Sequence, residues 1–418
     1  MQNNKAHRAI WGITANDKTK VIVEKSIFKN NEITANNGNK GTTNHGALIY
    51  FEQFTKGRFE IISSQFIDNK FDPRFRVGIG GEVWIGSVLR FQPLNNDLEY
   101  DLILENNSIV SNEGLTYAPI SLYLDRDVVS KNNYVSNNNV TCNGIAFLKA
   151  DMDPKSRTCD LEGFKQTSDP PTRVASEVPL SLLSEFPSQT PSGIPTTTPV
   201  QPAACIRKLK EINDKEMGIM YDVSSVTNRT YNLCSNTVFE VGGFNWTDYV
   251  PDDLDNPPLT IINGNIRILC GDNGLLSDNC TLSGGSIQVY IDADHNYQPD
   301  NLNPDSQSKI SFVENHINIV LKGLTFANLK SDEEDENNLS DGRANILIEW
   351  PEVGEYYGYY GYYTASQKSL PKDDSAEWIS ELHVLDCLFH NYKAHRAIWG
   401  ITKNDKTKVI VEKSIFKN

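Results

Sequence analysis

The feature that most narrows the fold is a short pattern that recurs without fixed spacing. Ile22-Val23-Glu24-Lys25-Ser26-Ile27-Phe28-Lys29-Asn30-Asn31 aligns with Glu60-Ile61-Ile62-Ser63-Ser64-Gln65-Phe66-Ile67-Asp68-Asn69, and the same shape returns at 102–112, 319–328 and 384–391. Each copy is an alternating strand, a small or polar corner, an aromatic or aliphatic residue, then Asn. Phe28, Phe66, Ile109, Tyr134, Phe389 and Phe416 fill the Phe-like slot at uneven intervals. Short β-branched strands with Asn-rich turns and a period of at least about 25 residues predict a coil of parallel strands. One coil cannot bury its own apolar face, whereas successive coils set Ile on Ile and Phe on Phe. Asn suits the corner because it tolerates left-handed backbone angles and its amide can bond to the Asn one coil away. A β-sandwich also has short strands, but it would not repeat one corner signature around loop insertions. The expected class is all-β, a right-handed parallel β-helix.

A second repeat is nearly exact. Residues 5–30 and 393–418 differ only at Ala15 and Lys403, at an offset of 388. Copies this close fit a window cut from a tandem array that overlaps itself by one segment; the alternative is an artificial duplication. Between them, residues 166–204 hold 8 of the 19 prolines, with Ser and Thr interspersed, which reads as an extended linker open to O-glycosylation. The expected organisation is therefore 1–165, the C-terminal part of one β-helix; 166–204, the linker; and 205–418, the disulfide-capped N-terminal part of the next. At about 25 residues per coil the apolar stretches give about 14 coils and about 70 Å, less what loop insertions consume. Such units can be beads on a string. Alternatively, the rung ending at Asn418 can continue into the rung near Asn31 of a neighbour, giving a filament.

The chain has 39 Lys plus Arg against 54 Asp plus Glu, a formal charge of −15, which argues against nucleic acid and anionic membranes as partners. It has no apolar run long enough to span a bilayer. Residues after Met1 do not read as a signal peptide, and an extracellular chain would have lost one. Six Asn-x-Ser/Thr acceptors, at Asn106, Asn139, Asn228, Asn245, Asn279 and Asn338, point the same way. So do three close cysteine pairs, Cys142 with Cys159, Cys205 with Cys234 and Cys270 with Cys280. Cys387 is left over; it takes the slot of Ser26 and Ser64 and is expected as a buried thiol.

The rungs resemble right-handed parallel β-helix proteins of the pectin-lyase-like class. The stretch PSQTPSGIPTTTPVQPAACIRKLKEI, then YNLCSNTVFEVGG and ILCGDNG with DNCTLSGG, is similar to secreted β-helix proteins of diatoms, in which a Ser/Thr/Pro spacer precedes a disulfide-linked first coil. The resemblance covers the chain outside the spacer. It implies the fold but no activity, since the class includes members without one.

Catalytic signatures are missing. The polygalacturonase-type Asn-Thr-Asp, Asp-Asp, Gly-His-Gly and Arg-Ile-Lys patterns do not occur, and no catalytic residue is assigned. His7-Arg8, repeated as His395-Arg396, with Trp11 and Asp17, reads first as a solvent-facing strand face. Asp292, Asp294 and Asp300 open like a calcium loop, but Tyr297 stands where an EF-hand needs Gly and Asn303 where it needs Glu, leaving a weak structural Ca²⁺ site at most and no required cofactor. The run Asp332–Glu336 reads as a solvated insertion, or as a Ca²⁺ bridge between chains. Tyr356, Tyr357, Tyr359, Tyr360, Tyr362 and Tyr363, set among glycines, form the expected interaction segment for sugars or protein surfaces. The function that follows is a structural or adhesive extracellular protein whose units assemble with one another into a fibre. The alternatives are a polysaccharide lyase or hydrolase, and a carbohydrate-binding surface protein without catalysis.

Overall fold

A computed structural model describes residues 9–14, 20–33, 46–52, 56–72, 86–92, 99–123, 128–148, 158–165, 205–212, 215, 228–242, 244–245, 250–251, 259–262, 265–284, 287–290, 317–327, 344–349, 380–390, 396–402 and 407–417. The strands form three long sheets of ten, nine and ten members, plus two small two-stranded sheets. Each coil between the two end coils contributes one strand to each long sheet, as in Ile10–Thr14, Lys20–Glu24 and Ile27–Lys29. Pairing within the long sheets is parallel, except where Thr158–Asp160 turns back against Ile145–Leu148. This is a parallel β-helix.

The two halves of the chain are one solenoid. From the 205 end the coils climb through 259–283, 287–327, 344–390 and 396–417, continue directly into 10–29, and proceed through 46–67, 86–110 and 120–136 to 145–165. The ten strands of the third sheet at about 4.8 Å give about 43 Å of stacked coils, not about 70 Å. Insertions account for the shortfall: strand Ile287–Tyr290 is followed only at Ile317–Lys322, and Ala344–Glu349 only at Ser380–Leu385.

Alternation explains the core. In Lys20–Glu24, Val21 and Val23 point inward and are buried, while Lys20, Ile22 and Glu24 are half-exposed. In register with Val23 stand Val411, Val384, Leu321 and Ile268 on one side, and Ile61 and Leu104 on the other, all at most 1% exposed. Phe326, Phe389, Phe416, Phe28 and Phe66 form a ladder of rings 4.5–4.9 Å apart and within 10° of parallel, each contact adding about 0.5–1.5 kcal/mol beyond burial.

The corner asparagines form the expected ladder. Asn31, Asn69 and Asn112 each donate Nδ2 to the Oδ1 of the next Asn, ending at Asn138, over 2.8–2.9 Å. Each Oδ1 also takes the backbone N–H of the Asn one coil before. At the other corner a column of small polar groups runs Cys387, Ser414, Ser26, Ser64, Asn107, Asn133, each backbone N–H donating to the next side chain. One alignment shifts: the sequence sets Tyr134 in the Phe slot, but Val135 stands opposite Ile109 and Tyr134 opposite Ser108. Two amides impose this, because Asn133 and Asn138 must meet Asn107 and Asn112.

Among the described residues, chain lies across part of each outer end. At one, Ile206 bridges to Leu233, and Ile206, Leu209 and Ile212 are buried against the first coils. Cys205–Cys234 and Cys270–Cys280 staple that end. At the other, Cys142–Cys159 holds the reversed strand in place. All three pairs are those the spacing suggests, and each loop closure is worth about 3 kcal/mol in the chain-entropy account.

Candidate functional site

The junction between the two halves is where the molecule is most unusual. There the near-identical segments lie on one another in register, so each residue faces its own copy. Ile10 pairs with Ile398, Trp11 with Trp399 and Gly12 with Gly400. Lys20 pairs with Lys408, Val21 with Val409 and Val23 with Val411. Ile27 pairs with Ile415, Phe28 with Phe416 and Lys29 with Lys417. The position that differs, Ala15 against Lys403, lies outside the described residues.

The seam is as complete as any within a half. Backbone bonds cross it from Ile27 N–H to Ser414 O at 2.8 Å, from Lys413 N–H to Glu24 O at 3.0 Å and from Ala397 N–H to Ala9 O at 3.0 Å. Asn31 Nδ2 donates to Phe416 O at 3.2 Å, and Ser414 N–H to Ser26 Oγ at 3.3 Å. The Phe28 and Phe416 rings stack at 4.5 Å and 3°. Outside the third sheet Ile27, Leu388 and Ile415 form a buried apolar cluster, with Leu276 packed on it.

Self-pairing has an electrostatic consequence, since it sets cations on cations. On the second sheet Lys408, Lys20 and Arg58 occupy one column on successive coils. Glutamates flank them: Glu381 takes Lys408 Nζ at 3.2 Å and His383 Nε2 at 2.7 Å, while Glu60 takes Lys20 Nζ at 3.0 Å and also Arg58. Burial alone would raise both carboxyls, but hydrogen bonds and charge from these cations outweigh it and hold each below its ordinary range. On the third sheet His390, Lys417 and Lys29 form a second column. Burial, aided by Lys417, lowers His390, and burial lowers Lys417 itself.

The remaining sequence candidates are scattered. Cys387 is fully buried in the Ser26/Ser64 column, its thiol pushed up to about 12 by burial and so unreactive. Asn139, Asn228 and Asn279 are exposed, Asn106 is half-exposed and Asn245 is in a short strand. Asn338 lies outside the described residues, as do Asp292, Asp294, Asp300, the run Asp332–Glu336, the six tyrosines Tyr356–Tyr363, His7, Arg8, Asp17 and His395. Among the described residues no three His, Cys, Asp or Glu side chains gather as a metal site, and no helix is long and apolar enough to cross a membrane. Sequence reasoning missed the cation columns, whose signal was the lysines repeated within the two copies. It also missed Arg90, fully buried on the outward side of the first sheet over the Tyr50 ring at 5.3 Å. Compared with protein-family models, curated proteins and solved structures, the chain matches none.

Proposed function

We propose that the protein is a structural, adhesive extracellular protein whose β-helix halves join head to tail, within a chain or between chains, into beads strung on Pro-rich linkers. The observation that carries this reading is the self-paired junction: among the described residues, the seam between the halves is built from two copies of one rung. The reversed strand and the disulfides at the outer ends work against stacking there, so growth goes through the seam. A half left alone exposes three unpaired strand edges there. The 205–418 half of one chain meets the 5–165 half of another through the same contacts it makes to its own, the logic of domain swapping. A linker of 39 residues has a limiting reach near 120 Å at polyproline spacing, against about 43 Å of solenoid. Both closures are within reach.

Three disulfides suit an oxidising compartment, and the sequons and the likeness to secreted, pectin-lyase-like diatom proteins extend that to secretion. No catalytic step and no required cofactor belong to this reading. The test mixes a Lys20→Cys chain with a differently tagged Lys408→Cys chain, refolds them together and oxidises. Neither chain can make the 20–408 crosslink alone. A covalent heterodimer whose yield rises with chain concentration is expected; monomers at every concentration would refute assembly through the seam.

A further inference from the structure

The outward face of the second sheet is apolar along its middle. Val320, Ile410, Ile22, Ile103 and Val129 hold the central outward position on five of seven successive coils. The first four are half-exposed and Val129 is 57% exposed. The two polar residues of the column are turned aside: His383 Nε2 lies 2.7 Å from Glu381, and Glu60, nearly buried, takes Lys20 and Arg58. Leu385 and Ile62, also half-exposed, widen the stripe along their strands. By contrast, outward Tyr50 on the first sheet, and Ile27, Leu388 and Ile415 on the third, are covered. Single exposed apolar side chains are ordinary, whereas a contiguous stripe marks a contact surface.

Opposite charges border the stripe. Lys408 and Lys20 lie before Ile410 and Ile22 on the same face, and Glu412 and Glu24 lie after them. A half-turn about an axis parallel to the solenoid, passing over the stripe, lays this face on its own copy with coils parallel. Ile22 and Ile410 then meet the same residues of the second copy, Lys20 meets Glu24, and Lys408 meets Glu412. A half-turn about the strand direction would instead set lysine on lysine. Asp101 faces Glu105 in the favoured arrangement, and Lys131 already holds Glu105 at 3.6 Å. Seven coils at about 4.8 Å and five residues at about 3.3 Å give a face of about 29 by 16 Å, so two faces cover about 900 Å² together. That lies below a standard protein interface and fits a weak, reversible pair.

We propose that this stripe is the contact through which two copies of the chain pair side by side with their coils parallel. The inference goes beyond the head-to-tail reading and does not rest on it, because one closed chain already carries the whole stripe.

The test follows the folded, full-length chain by sedimentation equilibrium over a concentration series, with no refolding step, so that halves do not exchange. A reversible monomer–dimer equilibrium is expected. Ile22→Lys/Ile410→Lys, whose long stems still cover the sheet, should weaken pairing at least about tenfold while a circular-dichroism melt stays unchanged. Two charge variants test the orientation. Lys20→Glu/Lys408→Glu chains should not pair with themselves, nor should Glu24→Lys/Glu412→Lys chains, yet a mixture of the two should form a heterodimer. A third approach leaves the charges intact: in Ile22→Cys chains a bismaleimide reaching the roughly 10 Å between faced sheets should link two copies. Lys70→Cys, exposed and away from the stripe, should stay unlinked, and Cys387 is buried and does not compete. A parent that is monomeric at every concentration, undiminished pairing in Ile22→Lys/Ile410→Lys, or folded charge variants that fail to pair when mixed would each overturn the proposal. None of these outcomes bears on the 20–408 crosslink, which lies within the coil stack.

Discussion

Replacing Asn69 by Ala isolates what the amide ladder contributes. Asn69 is fully buried. Its Nδ2 donates to Phe28 O at 3.0 Å and to Asn112 Oδ1 at 2.8 Å, and its Oδ1 accepts from Asn31 N–H at 3.0 Å and Asn31 Nδ2 at 2.9 Å. Four hydrogen bonds vanish at a net worth of about 1 kcal/mol each, and the buried Asn31 N–H loses the acceptor it has here, so the expected cost is about 4 kcal/mol. Asn138, at the ladder's end, makes three such bonds, so Asn138→Ala should cost about 3 kcal/mol. Asn69→Asp keeps the shape but faces Phe28 O and Asn112 Oδ1 with a second acceptor. It should therefore do at least as badly as Ala at neutral pH and recover partly in acid, where the carboxyl regains a proton to donate. A solenoid opens locally, coil by coil, so the assay is hydrogen exchange across 65–72 and 108–113 alongside denaturant unfolding. A loss below about 1 kcal/mol in both readouts would refute the account and leave burial and ring stacking as the main forces at that corner.

Four further outcomes follow from the same geometry. Gly323 has φ +70°, and an added Cβ would lie 2.5 Å from Gly274 backbone, so Gly323→Ala should cost more than about 2 kcal/mol; Lys413, at φ 51° in the same corner column, should gain about 1 kcal/mol as Gly, both read by denaturant unfolding. His390 is held below 6.5 in the folded chain, so the unfolded chain takes up its proton first; stability should fall as pH drops below 6.5, and His390→Gln should flatten that part of a melting-temperature profile. Glu60 and Glu381 act in a separate window: their pKa values lie below 4.5 in the fold, so their contribution is present above 4.5 and disappears as pH falls further. Deleting 393–418 should leave a closed monomer in which the 10–29 coil stacks on 380–390, Phe28 on Phe389 and Lys20 beside Glu381, shorter by about 4.8 Å in small-angle scattering; an open or aggregated chain would show that the copies are not interchangeable.

Register was legible wherever side-chain chemistry repeats. Setting Ile22 against Glu60, and Phe326 against Phe389, reproduces the strand pairing residue by residue, because stacked coils demand like on like at the ring and at the amide. Cys387 was placed among serines on size alone. Tyr134 misled because an aromatic ring seemed the stronger marker, whereas the paired amides of Asn133 and Asn138 decide the register and Val135 packs well enough on Ile109. Coil number failed since residues in loops do not advance the helix. The cation columns could not be read from one copy, for Lys20 meets Lys408 only when both copies stack, and nothing in either segment says that they do.

What chooses between a closed chain and linked chains, on the assembly reading, is concentration rather than contact. The seam contacts are the same in both, and strand edges left open at the seam are costly in either half. A linker long enough to span the solenoid gives an effective local concentration on the millimolar scale. In dilute solution each chain should therefore close on itself. Dense deposition at a surface, where chains approach that concentration, favours exchange of halves.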